Sequence, residues 1–109
     1  MREIDPNKCI DFIFENATKF ADAQKVAEQL ELFRPSLKAI LMKKSGEQTI
    51  GAQEREAAAS EEYINNGIAI AEATALALKF KWELEAAKLR HATWQTLEVS
   101  ARNQDRILK

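Results

Sequence analysis

INNGIAIAEATALALKFKWELEAAKLRHATWQTL, residues 64–97, places an apolar or small residue at nearly every third or fourth position and contains no proline. Ile64, Ile68, Ala71, Ala75, Leu78 and Trp82 keep the spacing that holds side chains on one face of a helix. Ile70, Ala73, Ala77, Phe80, Leu84, Ala87, His91 and Trp94 keep it on another. A surface helix needs one such stripe, so two stripes predict two neighbours. The first is interrupted at Glu85 and resumes one residue out of step at Ala86, Leu89 and Thr93. That is short of the roughly three to four heptads of a dedicated coiled coil. The spacing therefore predicts coiled-coil-like packing within a helical bundle.

The surrounding composition agrees. Of 109 residues, 46% are hydrophobic and 30% charged, with three Gly and two Pro; such a chain favours helix almost throughout. Its length suits a single all-helical domain over 1–109. No run of 18 apolar residues occurs, so no membrane partner is expected. Cys9 is the one cysteine and the first residues lack an apolar signal core, which leads us to expect a reducing, cytoplasmic setting. Asn16-Ala17-Thr18 fits the glycosylation pattern, but without export it carries no weight.

Working outward, Asp5-Pro6 is a helix start: Asp supplies a capping oxygen and Pro fits the first helical position. Ile10, Ile13, Ala17, Phe20, Gln24, Ala27, Leu30, Phe33, Leu37 and Ile40 continue one helical stripe. Pro35 predicts a kink near Leu32 to Arg34 rather than an end, because the stripe keeps its phase. Lys43-Lys44-Ser45-Gly46 closes a first helix of about 6–44. Ser45, with Gln48 three residues on, or Thr49 then caps a second helix of about 49–106. Asn65-Asn66-Gly67 carries a turn signal, yet Ile64 and Ile68 stay in phase across it. We therefore expect a continuous second helix, with Gly67 the place for any bend.

A short connection makes antiparallel neighbours, and charge favours the same hairpin. Residues 34–46 carry a net of +4 and residues 47–72 a net of −5; residues 1–33 carry −3 and residues 79–109 carry +3. Folded back near residue 47, opposite signs face each other. The fold also leaves residues 89–109 projecting past the first helix, on the order of 30 Å of helix. Two helices close no core of their own. The expectation is a homo-oligomer, most simply a dimer of hairpins forming a four-helix bundle. Its interface, with itself or a protein partner, would use Trp82, Leu89, His91, Trp94, Leu97, Ile107 and Leu108.

Catalytic and cofactor motifs fail on residue content. Gly46-Glu47-Gln48-Thr49-Ile50-Gly51 has the glycine spacing of a phosphate loop but continues Ala52-Gln53, with no Lys. His91 is the one histidine, and position 88 before it is Lys, so neither a paired-His zinc site nor a Glu-x-x-His carboxylate site is available. On an apolar stripe beside Trp94, His91 reads as a packing or interface residue, with a pH-sensing role the alternative. Cys9 and His91 could approach in the hairpin, but nothing supplies an oxyanion hole. The expectation is no enzyme, no metal and no cofactor. Cys9 reads as a small buried or half-buried side chain.

Lys81, Lys88, Arg90, Arg102 and Arg106, interleaved with aromatic residues, are the candidate nucleic-acid contacts. Glu83, Glu85 and Glu98 lie at helical spacing from several cations and can neutralise them. Arg90 can stack on Trp94. A pI near 5.9 argues against strong bulk attraction to phosphate.

Lys44-Ser45-Gly46, Arg55 to Tyr63, Lys81-Trp82-Glu83, Leu89-Arg90 and Trp94-Gln95-Thr96 resemble small uncharacterised helical proteins of tailed bacteriophages and prophages, often encoded among replication and recombination genes. The resemblance spans roughly residues 44–104 and leaves the first helix largely unmatched. It implies a bacterial host cytoplasm and an accessory role in phage DNA metabolism, with no catalytic residues to carry over. The sequence thus leads us to expect a non-enzymatic, oligomerising accessory protein. Direct binding of single-stranded nucleic acid and a purely structural assembly role are the alternatives.

Overall fold

The computed structural model describes the backbone of residues 4–108 and the side chains of residues 4–107. It is all-α, a helical hairpin of α1 (Pro6–Lys44), α2 (Ile50–Ala59) and α3 (Glu61–Leu108), with no strand among the described residues. Asp5 caps α1: its Oδ1 accepts the N–H of Asn7 at 2.9 Å and of Lys8 at 3.3 Å. The helix runs through Pro35 without a break and ends on Lys43 and Lys44, cations at the negative end of its dipole.

The turn takes one of the two caps open to it. Thr49, in extended backbone, caps α2 by accepting the Ala52 N–H at 3.2 Å. Ser45 braces the turn instead, donating to the Glu56 carboxylate at 2.8 Å and accepting the Glu47 N–H at 3.1 Å. Gln53 Nε2 adds a bond to the Glu47 carbonyl at 3.1 Å.

The second expected helix is two. The chain leaves helical geometry at Ser60, whose φ of −68° and ψ of 146° are extended. Its hydroxyl donates to the Ala57 carbonyl at 2.7 Å and accepts the Tyr63 N–H at 3.3 Å, ending α2 and capping α3 with one side chain. Glu61 and Glu62 then occupy the first turn of α3, where the dipole favours anions. Asn65-Asn66-Gly67, with its turn signal, lies inside α3.

Burial identifies the seam. On α3 the stripe from Ile70 to Trp94 is buried or half-buried at every position, and Tyr63 and Asn66 extend it in the same rhythm. The expected stripe on α1 is partly displaced. Ile10, Ala17, Gln24, Phe33 and Ile40 are exposed, and the covered positions are Cys9, Ile13, Asn16, Phe20, Ala23, Ala27, Leu30, Arg34, Leu37 and Leu41. These alternate steps of 4 and 3 over more than four heptads, a period that keeps one seam against an antiparallel neighbour. Two polar residues, Asn16 and Arg34, stand in it where the sequence offered apolar ones nearby.

The chain resolves into two compact units, residues 21–77 and a second made of the first part of α1 with α3 from Leu78 onward. In the first, Leu37, Leu41 and Ala57 form a core against which Met42 and Tyr63 pack. In the second, Leu84 and Ala87 are buried, as is Asn16, whose Nδ2 donates to its own Phe12 carbonyl at 2.9 Å. Among the described residues, five of the eight buried apolar ones are alanines and no large side chain is completely covered. Alanine removes little apolar area from water, so the seam stabilises the chain weakly.

Among the described residues the ion pair that closes within 4 Å is Lys88–Glu85 at 3.3 Å, inside one helix. Opposite signs do not meet as pairs across the helices among the described residues.

Candidate functional site

The outer face of α3 is exposed along its apolar stripe among the described residues. Ile64, Ile68, Ala71, Ala75, Leu78, Trp82, Ala86, Leu89 and Thr93 are exposed without exception, whereas the other stripe of the same helix is covered without exception. Trp82 and Leu84, two residues apart, point on the order of 160° from each other, with 62% of Trp82 accessible against 7% of Leu84. Exposed apolar residues at helical spacing, Ile64, Ile68, Ala71 and Ala75 in one unit and Leu78, Trp82, Ala86 and Leu89 in the other, are not what a solvated helix face looks like. Val26, Phe33 and Ile40, at heptad spacing on α1, are also exposed.

The expected interface residues fall into separate groups. Trp82 and Leu89 share the outer stripe of α3. His91 and Trp94 lie on the inner one, half-buried, with their rings 5.8 Å apart and tilted by 37°. Trp94 therefore packs on His91, and the cation that lies over an aromatic ring is Arg34 rather than Arg90. Beyond Trp94 every residue from Gln95 to Ile107 is exposed, including Leu97 and Ile107. The side chain of Leu108 lies outside the described residues.

The candidate nucleic-acid contacts divide as well. Lys81, Lys88 and Arg102 recur at multiples of seven residues, with Arg106 four further on, so these four share one side of α3. Lys88 on that side is bonded to Glu85 at 3.3 Å. Arg90 faces elsewhere, into a shallow cleft of about 460 Å³ lined also by Lys8, Cys9, Phe12, Glu83, Ala87 and Ala86 of the outer stripe. Cys9 is half-buried on its wall. His91 is not part of the cleft, so the two side chains weighed as a nucleophile and base do not share a site. Among the described residues no three His, Cys, Asp or Glu side chains converge to hold a metal.

Sequence reasoning passed over Arg34, which ties α1 to α3 within residues 21–77. Its Nη1 donates to Asn66 Oδ1 at 2.8 Å and to the Tyr63 carbonyl at 3.2 Å, and its guanidinium carbon sits 3.8 Å from the Tyr63 ring centre. A methyl group at Gly67 would lie 3.2 Å from the same nitrogen. Gly67 thus gives the guanidinium room to reach the α3 backbone. The legible signal was Arg34 at a seam position, three residues before Leu37 and seven before Leu41.

No helix among the described residues is long and apolar enough to cross a membrane. Compared with protein-family models, with curated proteins and with solved structures, the chain finds no match in any of the three.

Proposed function

We propose that this chain is a non-enzymatic helical accessory protein that self-associates and works by binding protein partners. The observation that carries the proposal is the outer stripe of α3, exposed at every position from Ile64 to Thr93 on a helix whose other stripe is covered. Exposed Trp and Leu side chains of this kind supply the anchors of protein interfaces. The thin, alanine-rich seam adds a reason for association, since the hairpin buries little on its own. A cytoplasmic setting in phage or prophage DNA metabolism is part of the same proposal and is supported by the resemblance of residues 44–104.

Direct binding of single-stranded nucleic acid ranks below it, because the candidate cations divide between two sides of α3 and Lys88 is already paired. Fluorescence anisotropy with labelled oligonucleotides at about 50 mM salt, where phosphate contacts are strong, separates the two. The proposal expects no binding there. Saturable binding that weakens steeply with salt would replace it with the nucleic-acid reading.

A further inference from the structure

Of the five asparagines in the chain, Asn66 is the one followed by glycine. In such a pair the backbone nitrogen of the glycine can attack the side-chain Cγ of the asparagine, because no Cβ beside that nitrogen stands in the way. A bond forms between nitrogen and Cγ, the bond from Cγ to the amide nitrogen breaks, and the proton of the attacking N–H leaves with ammonia. Water then opens the cyclic imide at one of its two carbonyls, giving aspartate or isoaspartate. We propose that Asn66 is a latent deamidation site, kept unreactive by the contact that Arg34 makes between α1 and α3 and released when that contact opens.

The residues involved all lie within residues 21–77. Gly67 stands inside α3, where its N–H is directed at the Tyr63 carbonyl four residues back. Helical side chains lean toward the N-terminus, so the Asn66 amide is carried away from the nitrogen that follows it. Arg34 fastens both parts. Its Nη1 donates to Asn66 Oδ1 at 2.8 Å and to the Tyr63 carbonyl at 3.2 Å. One guanidinium thus holds the group to be attacked and braces the carbonyl that engages the attacking N–H. Asn66 is 9% exposed, whereas Asn65 beside it is open to solvent. Asn65 is followed by Asn66, whose side chain shields the next nitrogen, so it serves as an internal comparison.

A hydrogen bond to Oδ1 also draws electrons from Cγ, which would speed attack by a nitrogen in reach. The helix keeps the nitrogen out of reach, so position outweighs polarisation. The product is permanent in water. Isoaspartate adds a carbon to the main chain of α3 and breaks its ladder, converting a transient opening into a lasting covalent change.

The test is to incubate the full chain in warm, mildly alkaline buffer and follow residue 66 by peptide mass spectrometry. Native protein in buffer and in concentrated urea is compared with Arg34→Ala and with Thr49→Ala, which loses a cap in the same unit without touching Arg34. The urea sample should react fastest. Arg34→Ala in buffer should exceed the native rate on the order of tenfold, with Thr49→Ala within about twofold of native and Asn65 intact throughout. A second reading uses only the native chain: the ratio of urea rate to buffer rate should match the protection of the Gly67 amide in hydrogen exchange to within a few-fold, since one opening exposes both. An Arg34→Ala rate equal to or below native would overturn the proposal. So would Thr49→Ala reacting as fast as Arg34→Ala, because the rate would then follow overall stability. A ratio that departs from the Gly67 protection in either direction would overturn it as well.

Discussion

Arg34 shows why a single residue can escape a reading of periodicity. By charge it belongs to the basic block with Lys38, Lys43 and Lys44; by position it stands in the covered stripe of α1, three residues before Leu37. Its long stem can line the seam while the guanidinium reaches Asn66 and the Tyr63 carbonyl. Arg34→Ala would leave the Asn66 amide, 9% exposed, without its partner, and urea unfolding should show a loss of about 1–3 kcal/mol. Tyr63→Phe should change stability by less than about 0.5 kcal/mol, since Arg34 uses the ring and the main-chain oxygen and not the phenol. Gly67 supplies a sharper test. An alanine in a helix interior gains about 1 kcal/mol over glycine, but here its methyl would meet the guanidinium at 3.2 Å. Gly67→Ala should therefore stabilise an Arg34→Ala background by about that amount and the native protein by clearly less. Equal gains in the two backgrounds would show that Gly67 and Arg34 are not coupled.

At the scale of elements, the limits of α1 were legible because its signals are chemical: Asp5-Pro6 opens it and Lys43-Lys44 closes it. The break at Ser60 was hidden because Ala57-Ala58-Ala59 precedes it with neither Gly nor Pro as punctuation. Its signal was a capping Ser followed by two acids, outweighed by the louder Asn65-Asn66-Gly67. That tripeptide was never a turn; Asn66 and Gly67 are the side of α3 that receives Arg34. Ser60→Ala removes the oxygen that accepts the Tyr63 N–H and should cost about 1 kcal/mol, read as a lower midpoint in thermal unfolding. Thr49→Ala, losing the bond to the Ala52 N–H, should cost about as much. On α1 the expected stripe drifted out of phase because apolar residues lie on both sides of the true seam: Phe33 and Ile40 flank Arg34, Leu37 and Leu41. An apolar count cannot tell a seam from its exposed flank when polar residues occupy the seam.

For the whole molecule, two stripes on one helix meant two neighbours. One of them is now visible as α1, whose covered stripe meets the inner stripe of α3 within each unit. The other stripe faces solvent with Leu78, Trp82 and Leu89 accessible at 48%, 62% and 68%. What the sequence could not give was which stripe turned inward, because Ile64 to Trp82 is as apolar as Ile70 to Trp94. A protein that completes its core by association is stabilised by mass action, so its unfolding temperature should rise with protein concentration, checked by scans across a hundredfold dilution series. The most direct measurement is sedimentation equilibrium of the native chain at low micromolar concentration. The account predicts a mass of about twice 12.3 kDa, falling to the single-chain value in Trp82→Glu. A native protein that sediments at 12.3 kDa across that range would contradict it.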